Sequence, residues 1–510
     1  MSTGPKSDGR KARRPVTASE SWRGKITSHE TFTHDSIDNL GYDWTRVSDP
    51  NVQPKHPLKV YLPQTTEDVA KMITDANTIG ERLWVRGSGH SSNDLVLVDR
   101  GSVLLTHNLN RIVDLDEENL TVTAQSGKVT AQIEDHLAHH GLDLLVVGDH
   151  NDISLGGFVS VGGISPASFR YGMFIDNVTW LEYVDWDGNV IECSPEDKPE
   201  HFWRILGGTG RYGVITTVRT RVMQADKYGT VLRNDAHRYR NLDKFIDESA
   251  KALRDPGDAV LQRGVVIDFP GRKGGSGLVF GQLSNYRSTS QSFAHRSRNR
   301  AAYGYLHGIG YVNGRLPKRT DRMVKYVGTV GVVMSPKYAS MKNVEFFSDK
   351  ILDATVGDPT RMLIVMGPLE HYESLFHEVH DHLARFRADT RALTFISNYA
   401  IAIRSDYLKQ NRASNEFCAI AFLCGVSSKG MTDGQLEELA AGIDDIAIKY
   451  DSFRYVHTRM SHDLERRARV DPNTFYANAF AAKFGSDHAR PIESLAALAA
   501  PNPVAPEHSA

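Results

Sequence analysis

The residues best suited to chemistry stand together in the segment WVRGSGHSSND, residues 84–94. Residues 82–85 read as a short buried strand that runs into a glycine turn. Gly87 and Gly89 allow positive φ, which brings several backbone N–H groups onto one concave side, where an anion such as a pyrophosphate binds. His90 would then lie beside whatever the phosphates carry. An ordinary glycine turn with His90 hydrogen-bonded to the backbone is the alternative, and these residues alone favour it.

A second glycine-rich stretch, LLVVGDHNDISLGGFVSVGGIS, occupies residues 144–165. Its paired glycines, Gly156-Gly157 and Gly162-Gly163, would let the backbone pass close to a large flat ligand. Asp149 follows an apolar run, so its carboxyl group would enter a partly apolar site that raises its pKa and makes it a usable base. An aspartate that caps a turn is the alternative, which this stretch taken alone favours.

The hexapeptide GTGRYG, residues 208–213, matches the dinucleotide-binding pattern GxGxxG. In a Rossmann fold that pattern follows a strand and opens a helix. Here a helical segment, 199–206, precedes the glycines, and a clear strand, 214–218, follows them. We therefore infer no NAD-binding domain.

Two further groups of polar residues, one of histidines and carboxylates and one of basic residues and tyrosines, are explained without a bound ligand. Three histidines and two carboxylates would scatter around the surface of a helix and lack the HExxH spacing, so no metal site is expected at His377, Glu378, His380, Asp381 and His382. Segment 294–322 mixes basic residues with tyrosines, as nucleic-acid contacts do. In a neutral chain we expect it instead to be a solvated loop over a ligand entrance.

Composition sets the broad class. The chain has 510 residues, with 60 Lys and Arg against 62 Asp and Glu, so two or more domains are expected and neither nucleic acid nor a membrane is indicated. The three cysteines, Cys193, Cys418 and Cys424, fit neither a zinc site nor a disulfide scaffold and favour a cytoplasmic location. No apolar run reaches the ~18 residues of a membrane span, and the basic start lacks the apolar stretch of a secretory signal.

The order of elements predicts a mixed α+β fold rather than regular βαβ units. In the first part we expect helices from residue 66, over 131–140 and over 199–206, strands at 103–105, 112–115 and 120–124, and a hairpin over 178–193 around Asp187-Gly188. In the second part β-rich runs at 264–269, 277–282, 327–334 and 361–366 alternate with helical runs at 242–253, 340–354, 374–387 and 435–450. This alternation predicts an antiparallel sheet with helices on one side.

Four of these stretches, in this order, resemble the FAD-binding superfamily of vanillyl-alcohol oxidase and p-cresol methylhydroxylase. They are VRGSGHS, then SLGGFVSVGGIS followed by FRYGMFIDNV, then LGGTGRYGVIT, and finally DPNTFYANAF. The resemblance is closest to cytokinin dehydrogenase-like and berberine-bridge-like oxidases. It predicts a two-domain α+β flavoprotein: a disordered tail (1–30), an FAD-binding domain of two α+β subdomains (31–222), a substrate domain with a helix-covered antiparallel sheet (223–455), a return to the FAD-binding domain (456–486) and a disordered tail (487–510).

The resemblance also implies roles for single residues. His90 falls on the position that bonds to the flavin 8α methyl, and Asp149 falls on the aspartate that takes a proton from the substrate amine of cytokinin dehydrogenases. Cofactor contacts are implied for Val85, Arg86, Gly87, Ser88, Gly89, Ser91, Ser154, Gly156, Gly157, Ser160, Gly163, Ile164, Ile215 and Asn478. Tyr455 and His457 fall near an active-site tyrosine region, with a different spacing. Berberine-bridge enzymes carry a second covalent link to the flavin through a cysteine. No cysteine lies between His90 and Cys193 in this chain, so the resemblance implies a single covalent bond to FAD.

Together these features predict an FAD-dependent oxidase or dehydrogenase. It would remove a hydride from a C–H next to an N–H or O–H of a small molecule, with a cytokinin-like amine most similar, and pass electrons to O2 or another acceptor. Oxidation of an alcohol, a sugar or a secondary-metabolite intermediate is the first alternative. A non-catalytic flavin-binding protein is the second.

Overall fold

The computed structural model of the chain describes residues 40–41, 55, 57–91, 95–148, 150, 153–225, 229–271, 274–313, 336–344, 360–409, 414–427, 430–456 and 458–472, with the backbone alone at 306–313 and 360. Several sequence predictions lie outside these residues, namely the roles of Asp149, His457 and Asn478 and the segments 327–334, 345–354 and 473–480. Both predicted tails lie outside them as well.

The strands, in chain order, are β1 (Lys59–Tyr61), β2 (Leu83–Arg86), β3 (Ser102–Leu105), β4 (Ile112–Asp116), β5 (Thr121–Gln125), β6 (Leu142–Leu144), β7 (Val178–Asp185), β8 (Val190–Cys193), β9 (Gly213–Gln224), β10 (Val231–Tyr239), β11 (Ala259–Pro270), β12 (Ser276–Ser288), β13 (Tyr338–Ser340), β14 (Thr360–Pro368), β15 (Leu393–Arg404), β16 (Glu416–Val426) and β17 (Phe453–Arg454). The α-helices are α1 (Thr66–Thr78), α2 (Thr130–His139), α3 (Leu155–Val161), α4 (Ser168–Tyr171), α5 (Pro199–Ile205), α6 (Leu242–Arg254), α7 (Phe293–Asn313), α8 (Tyr372–Thr390), α9 (Asp406–Lys409), α10 (Asp433–Lys449) and α11 (Leu464–Val470).

A small parallel sheet, with strand order β1-β3-β2, carries the first glycine turn. Helix α1 begins with a capping box, in which the Thr65 hydroxyl accepts from the Asp68 N–H and the Asp68 carboxylate accepts from the Thr65 N–H. Val69, Ile73 and Ala76 recur at helical spacing and are buried beside this sheet. The helix therefore fixes the direction of β2, whose end leads into the turn.

A second sheet has the order β4-β5-β9-β7-β8, with β6 paired to β9. The predicted hairpin is confirmed: β7 and β8 pair antiparallel with Val184 opposite Val190. The Asp185 carboxylate accepts N–H groups of the turn, and Gly188 adopts φ +89 as a tight turn requires. The segment 208–213 does lead into a strand, β9, so the Rossmann interpretation stays excluded.

The second domain is an eight-stranded antiparallel sheet in the order β13-β10-β12-β11-β15-β16-β14-β17. Alternate side chains of its strands point to opposite faces. Leu363 and Val365 pack under the layer formed by α6, α8 and α10. Met362 and Ile364 face the other way and belong to a core that continues into the first domain. The α+β class and the helix-covered sheet are confirmed.

Segment 294–322 differs from its prediction as a loop, because α7 covers Phe293–Asn313 and only 314–322 lies outside the described residues. Its run of Ala, Arg and Asn carries no proline, and the helix is held against the sheet edge: the Asn299 side chain accepts from the Ser340 N–H at 2.9 Å. Segment 340–354 also departs from its helical prediction at its start. Ser340 ends strand β13, which pairs with β10, and a helical turn follows at 341–344.

The three histidines of α8 contact three different neighbours. His377 lies 3.9 Å from the Asp243 carboxylate, and the buried His380 lies 3.3 Å from the Asp268 carboxylate, which also binds Arg387. His382 packs against Gly442 of α10. In the part of the chain that the structure describes, no set of three or more His, Cys, Asp or Glu is arranged to hold a metal, and no helix has the length and apolar character needed to cross a bilayer.

Candidate active site

The two glycine-rich stretches meet at one place in the fold. The turn after β2 lies against Ser154, the residue that precedes α3, and the Ser88 N–H donates to the Ser154 hydroxyl at 3.4 Å. A Cβ at Gly87 would lie 2.0 Å from that hydroxyl oxygen, so a larger residue would force Ser154 to shift. Gly89 adopts φ +78, and its Cβ would lie 2.3 Å from the Arg86 guanidinium. A larger residue at Gly89 would therefore be strained and would displace the Arg86 side chain.

The paired glycines of the second stretch act partly through packing. Gly156 and Gly157 lie in the first turn of α3, where a Cβ on Gly156 would lie 2.7 Å from the Ser126 Cβ. Gly163 has φ +68, and a Cβ there would meet Phe158 and Phe174. The glycines thus let α3 approach β5 and the aromatic core closely, as well as forming part of a cavity wall.

A large cleft lies between these stretches and the eight-stranded sheet, and it encloses about 2040 Å³ of space that includes some open solvent. Most of the residues implied by the resemblance line it. They are Val85, Gly87, Ser88, Gly89, His90, Ser91, Ser154, Gly156, Gly157, Ser160, Ile164, Ile215 and Tyr455.

Two implied residues lie outside this lining. Arg86 is 1% exposed and directs its guanidinium to the Leu40 carbonyl at 3.3 Å, because alternation along β2 turns it away from the cleft while Val85 faces it. Gly163 lies behind the lining and donates its N–H to the Tyr455 hydroxyl at 3.0 Å. Asp149, His457 and Asn478 lie outside the described residues, but Gly148 and His150, the neighbours of Asp149, line the cleft.

His150, which was not among the predicted site residues, also lines the cleft. Its ring centroid lies 4.9 Å from that of His90, with the planes tilted by 51°, and its side chain is buried. Its position next to Asp149 was the available signal. The structure therefore places two imidazoles together where the resemblance implied one.

The segment before β9 adds another side of the cleft. Thr209, Gly210, Gly213 and Val214 line it. A Cβ at Gly213 would lie 2.1 Å from the Val184 carbonyl oxygen, and Thr209 adopts φ +50. The glycines of the apparent GxGxxG pattern therefore shape a turn that enters an antiparallel sheet beside the cleft.

The opposite side is the face of the eight-stranded sheet that points away from its helices. We call it the sheet wall, and it consists of Met362, Ile364, Phe395, Ser397, Tyr399, Ala421 and Leu423. Its members alternate along β14, β15 and β16 with residues that pack under the helices, such as Leu363, Ile396 and Phe422. The run 361–366 in β14 was predicted as a strand, but none of the sheet-wall residues was predicted as a site residue.

The described residues suit an FAD molecule. The turn after β2 offers backbone where side chains would not fit, and the cleft is long enough to run from that turn to the sheet wall. The Ser126 hydroxyl lies buried at the cleft and has no hydrogen-bond partner among the described residues, so it can bind a polar group of a ligand. Serine and threonine hydroxyls and glycine backbone suit phosphate and ribityl oxygens, and Val85, Ile164 and Ile215 suit a flat ring.

Comparison with known proteins agrees with this fit. Residues 57–194 match the family described as "FAD binding domain". Cytokinin dehydrogenase 3 of Arabidopsis thaliana is 24% identical over 283 residues, 54% of this chain and 49% of the relative. Cytokinin dehydrogenase 10 of Oryza sativa subsp. japonica is 29% identical over 218 residues, 40% of each chain. L-gulonolactone oxidase of Bos taurus is 29% identical over 162 residues, 32% of this chain and 36% of the relative.

The chain thus matches about half the length of these curated relatives or less. The matched family segment includes the turn after β2, His90, α3 and the hairpin of β7 and β8. Residues 57–194 match an FAD-binding domain, and the chain is similar over this part to cytokinin dehydrogenases and to L-gulonolactone oxidase.

Proposed function

We propose that this chain is an FAD-dependent oxidase or dehydrogenase of a small organic molecule. The substrate would lose a hydride from a C–H beside an N–H or O–H, and electrons would pass to O2 or another acceptor. The observation that supports this most is the cleft, which has glycine turns of the FAD-binding domain on one side and the sheet wall on the other. A cofactor and a second molecule can meet there.

The residues that would hold FAD are the glycine turn after β2, the start of α3 and the segment before β9. Bound FAD supplies the redox chemistry, accepting a hydride equivalent and releasing electrons to the acceptor. The chain orients the cofactor, and the apolar residues around it exclude water. Val85, Ile164 and Ile215, all at the cleft, are suited to hold the edges of a flat ring.

Two chemical roles are proposed for single residues. His90 lines the cleft and would attach the flavin covalently, a role that the family resemblance supports. Asp149 would accept the proton of the substrate N–H or O–H, because the residues on both sides of it, Gly148 and His150, line the cleft. A well-placed general base is worth about 10² to 10⁴ in rate.

A cytokinin-like amine is the first candidate substrate, because two of the similar proteins are cytokinin dehydrogenases, from Arabidopsis thaliana and Oryza sativa. An alcohol, a sugar-derived lactone or a secondary-metabolite intermediate is the second candidate, supported by the match to L-gulonolactone oxidase. A non-catalytic flavin-binding protein is a distant third. The cysteines Cys193, Cys418 and Cys424 are buried, unbridged thiols, which supports the proposed cytoplasmic location.

The absorption spectrum of the purified protein, before and after acid precipitation, tests this proposal. We expect a yellow protein whose colour stays with the pellet, and a His90→Ala variant whose flavin is released into the supernatant. Anaerobic addition of an N6-alkyl adenine, a benzylic alcohol or a sugar lactone should bleach the flavin for at least one class. A colourless protein that FAD does not reconstitute would contradict the proposal, and bleaching by no compound would favour the non-catalytic alternative.

A further inference from the structure

The sheet wall has a regular layout that follows from strand register. Neighbouring strands lie about 4.8 Å apart, so side chains opposite each other form rows across the sheet. One row runs Ser397, Leu423, Met362, and the next runs Tyr399, Ala421, Ile364. Phe395 stands one step further along β15, opposite Gly425. The wall is therefore a nearly flat patch, three strands wide, facing the glycine turns.

The chemistry of this patch is one-sided. Its polar atoms are the hydroxyls of Ser397 and Tyr399, and both belong to β15. On β16 and β14 the wall presents only a methyl group, aliphatic chains and a thioether. None of the wall residues carries a carboxylate, an ammonium or a guanidinium group. A charged group of a ligand pressed against this surface would lose its hydration without gaining an ionic partner from it.

Ala421 is the smallest side chain of the wall and stands in the middle of its row. Tyr399 and Ile364 flank it on the adjacent strands. The next residue along β16, Phe422, is fully buried on the helix side, whereas Ala421 is half-buried because it borders the cleft. A shallow depression thus lies over Ala421, between a phenol ring and an aliphatic chain.

We propose that the sheet wall selects an uncharged, flat substrate, with its apolar body over Ala421 and Leu423 and its polar edge towards β15, and that Ala421 determines specificity. This inference rests on the proposed function, since the wall faces substrate only when the glycine turns hold FAD. It favours flat aromatic amines, whose ring-bound nitrogen is unprotonated at neutral pH, and benzylic or allylic alcohols over polyhydroxylated lactones, whose many hydroxyl groups would find two partners on the wall. It also disfavours substrates that carry phosphate or carboxylate.

Ligand pairs that differ in one charged group test the selection. Binding to the yellow holoprotein can be followed by the change in flavin absorbance, with adenosine against adenosine 5′-monophosphate, and benzyl alcohol against 4-carboxybenzyl alcohol. L-gulono-1,4-lactone serves as the polyhydroxylated probe. We expect each neutral flat ligand to bind at least about 100-fold more tightly than its charged partner and than the lactone, as desolvation of an unpaired charge demands. Equal or tighter binding of the charged or polyhydroxylated ligands would overturn the inference.

Two variants test the role of Ala421 itself. Ala421→Val should raise the Kd of flat ligands at least about tenfold, because added methyl groups fill the depression. Flavin content and the visible spectrum should stay unchanged. Ala301→Val, at an exposed position of α7 that does not line the cleft, is the matched control and should bind flat ligands as well as the parent does. Leu423→Ala enlarges the wall instead, and should improve binding of ligands with an added methyl group at the ring.

The outcomes separate the two proposals. A yellow protein whose ligand affinities do not respond to Ala421→Val or Leu423→Ala would overturn the inference and leave the proposed function standing. A colourless protein would remove both. If Ala421→Val lowers flavin content, Leu423→Ala, which adds no atoms, decides the question by the same binding measurement.

Discussion

The phenol oxygen of Tyr455 accepts a hydrogen bond from the backbone N–H of Gly163 at 3.0 Å. Tyr455 directly follows β17 at one edge of the eight-stranded sheet, and Gly163 ends the second glycine stretch of the FAD-binding domain. The Tyr455 N–H in turn donates to the Ile364 carbonyl at 3.1 Å, and Ile364 is part of the sheet wall. Two hydrogen bonds of Tyr455 therefore connect the sheet wall to the glycine stretch of the FAD-binding domain.

Removing the Tyr455 hydroxyl should destabilise this connection. In Tyr455→Phe the buried Gly163 N–H loses its partner, and we expect the free energy of unfolding to fall by about 1–3 kcal/mol. Urea unfolding followed by flavin fluorescence measures this. Tyr286→Phe is the matched control, because the Tyr286 hydroxyl is buried with no hydrogen-bond partner among the described residues, so its removal should cost nothing or stabilise. Equal losses in both variants would contradict the role given to Tyr455.

A methyl group at Gly89 should abolish flavin binding. Its Cβ would lie 2.3 Å from the Arg86 guanidinium, and its φ of +78 adds strain for any L residue. Flavin content per protein, measured by absorbance, should drop at least about tenfold in Gly89→Ala. Gly80→Ala separates backbone strain from steric overlap, since Gly80 also has a positive φ, +65, but a Cβ there would have nothing within 4 Å. A Gly89→Ala protein as yellow as Gly80→Ala would show that the turn tolerates a side chain.

Replacing Asp149 by asparagine should slow flavin reduction and leave the colour unchanged. The change removes the proposed proton acceptor while keeping the size of the side chain, and the loss should be about 10² to 10⁴ in the reduction rate. Anaerobic stopped-flow mixing with a substrate that bleaches the parent protein measures it. Asp187→Asn, in the exposed turn between β7 and β8, is the control. Reduction at the parental rate would remove Asp149 from the chemistry.

Two buried carboxyl groups should make stability depend on pH. Burial raises the pKa of Glu134 from 4.5 to about 7 and that of Asp143 from 3.8 to about 8, against the opposing charge of Lys342. The folded state then binds more protons than the unfolded state between about pH 4 and pH 8. The free energy of unfolding should therefore fall as pH rises through this window and level off above it.

Urea unfolding at several pH values measures that slope. Asp143→Asn cannot ionise and should flatten the curve, whereas Asp135→Asn should not, because Asp135 is 74% exposed and binds Lys342 at the surface. The Glu134 carboxylate also accepts the Leu144 N–H at 2.7 Å, so Glu134→Gln keeps an acceptor there and is the safer second variant. A parent protein whose stability is constant from about pH 5 to pH 8 would contradict the prediction.

The first domain could be predicted from sequence because its constraints are local. Gly89 marks a turn through a positive φ that glycine adopts easily, and Gly188 marks a hairpin in the same way, whereas Gly87 lacks a positive φ and is constrained instead by its close approach to Ser154. The order of helix and strand around residues 208–213 sufficed to exclude a Rossmann fold. In the second domain the β-rich run 361–366 was likewise predicted as a strand, and it lies within β14.

Other features depend on which surfaces meet, and local pattern does not contain that information. Alternation shows that Met362 and Leu363 face opposite sides, but not which side meets the FAD-binding domain. The approach of His150 to His90 is set by how the turn after β2 docks on Ser154. Gly163 was assigned to the cofactor on resemblance, yet here its N–H bonds to a residue of the distant sheet. Segment 294–313 is helical and is bonded to the sheet edge through Asn299. The neutral charge of the whole chain had favoured a solvated loop there.

The largest apolar core runs without a break from the aromatic residues behind the glycine stretch, Phe158 and Phe174, to Ile401 and Phe417 of the sheet. Replacement of the eight-stranded sheet by a sheet from another protein is therefore obstructed, because a foreign sheet would have to reproduce one half of a shared interior. New specificities are more accessible by single replacements at wall residues such as Ala421 and Leu423, which border the cleft at the edge of this core, than at Met362 and Ile364, which belong to it. Divergence within such a scaffold would accumulate on alternate residues of three strands.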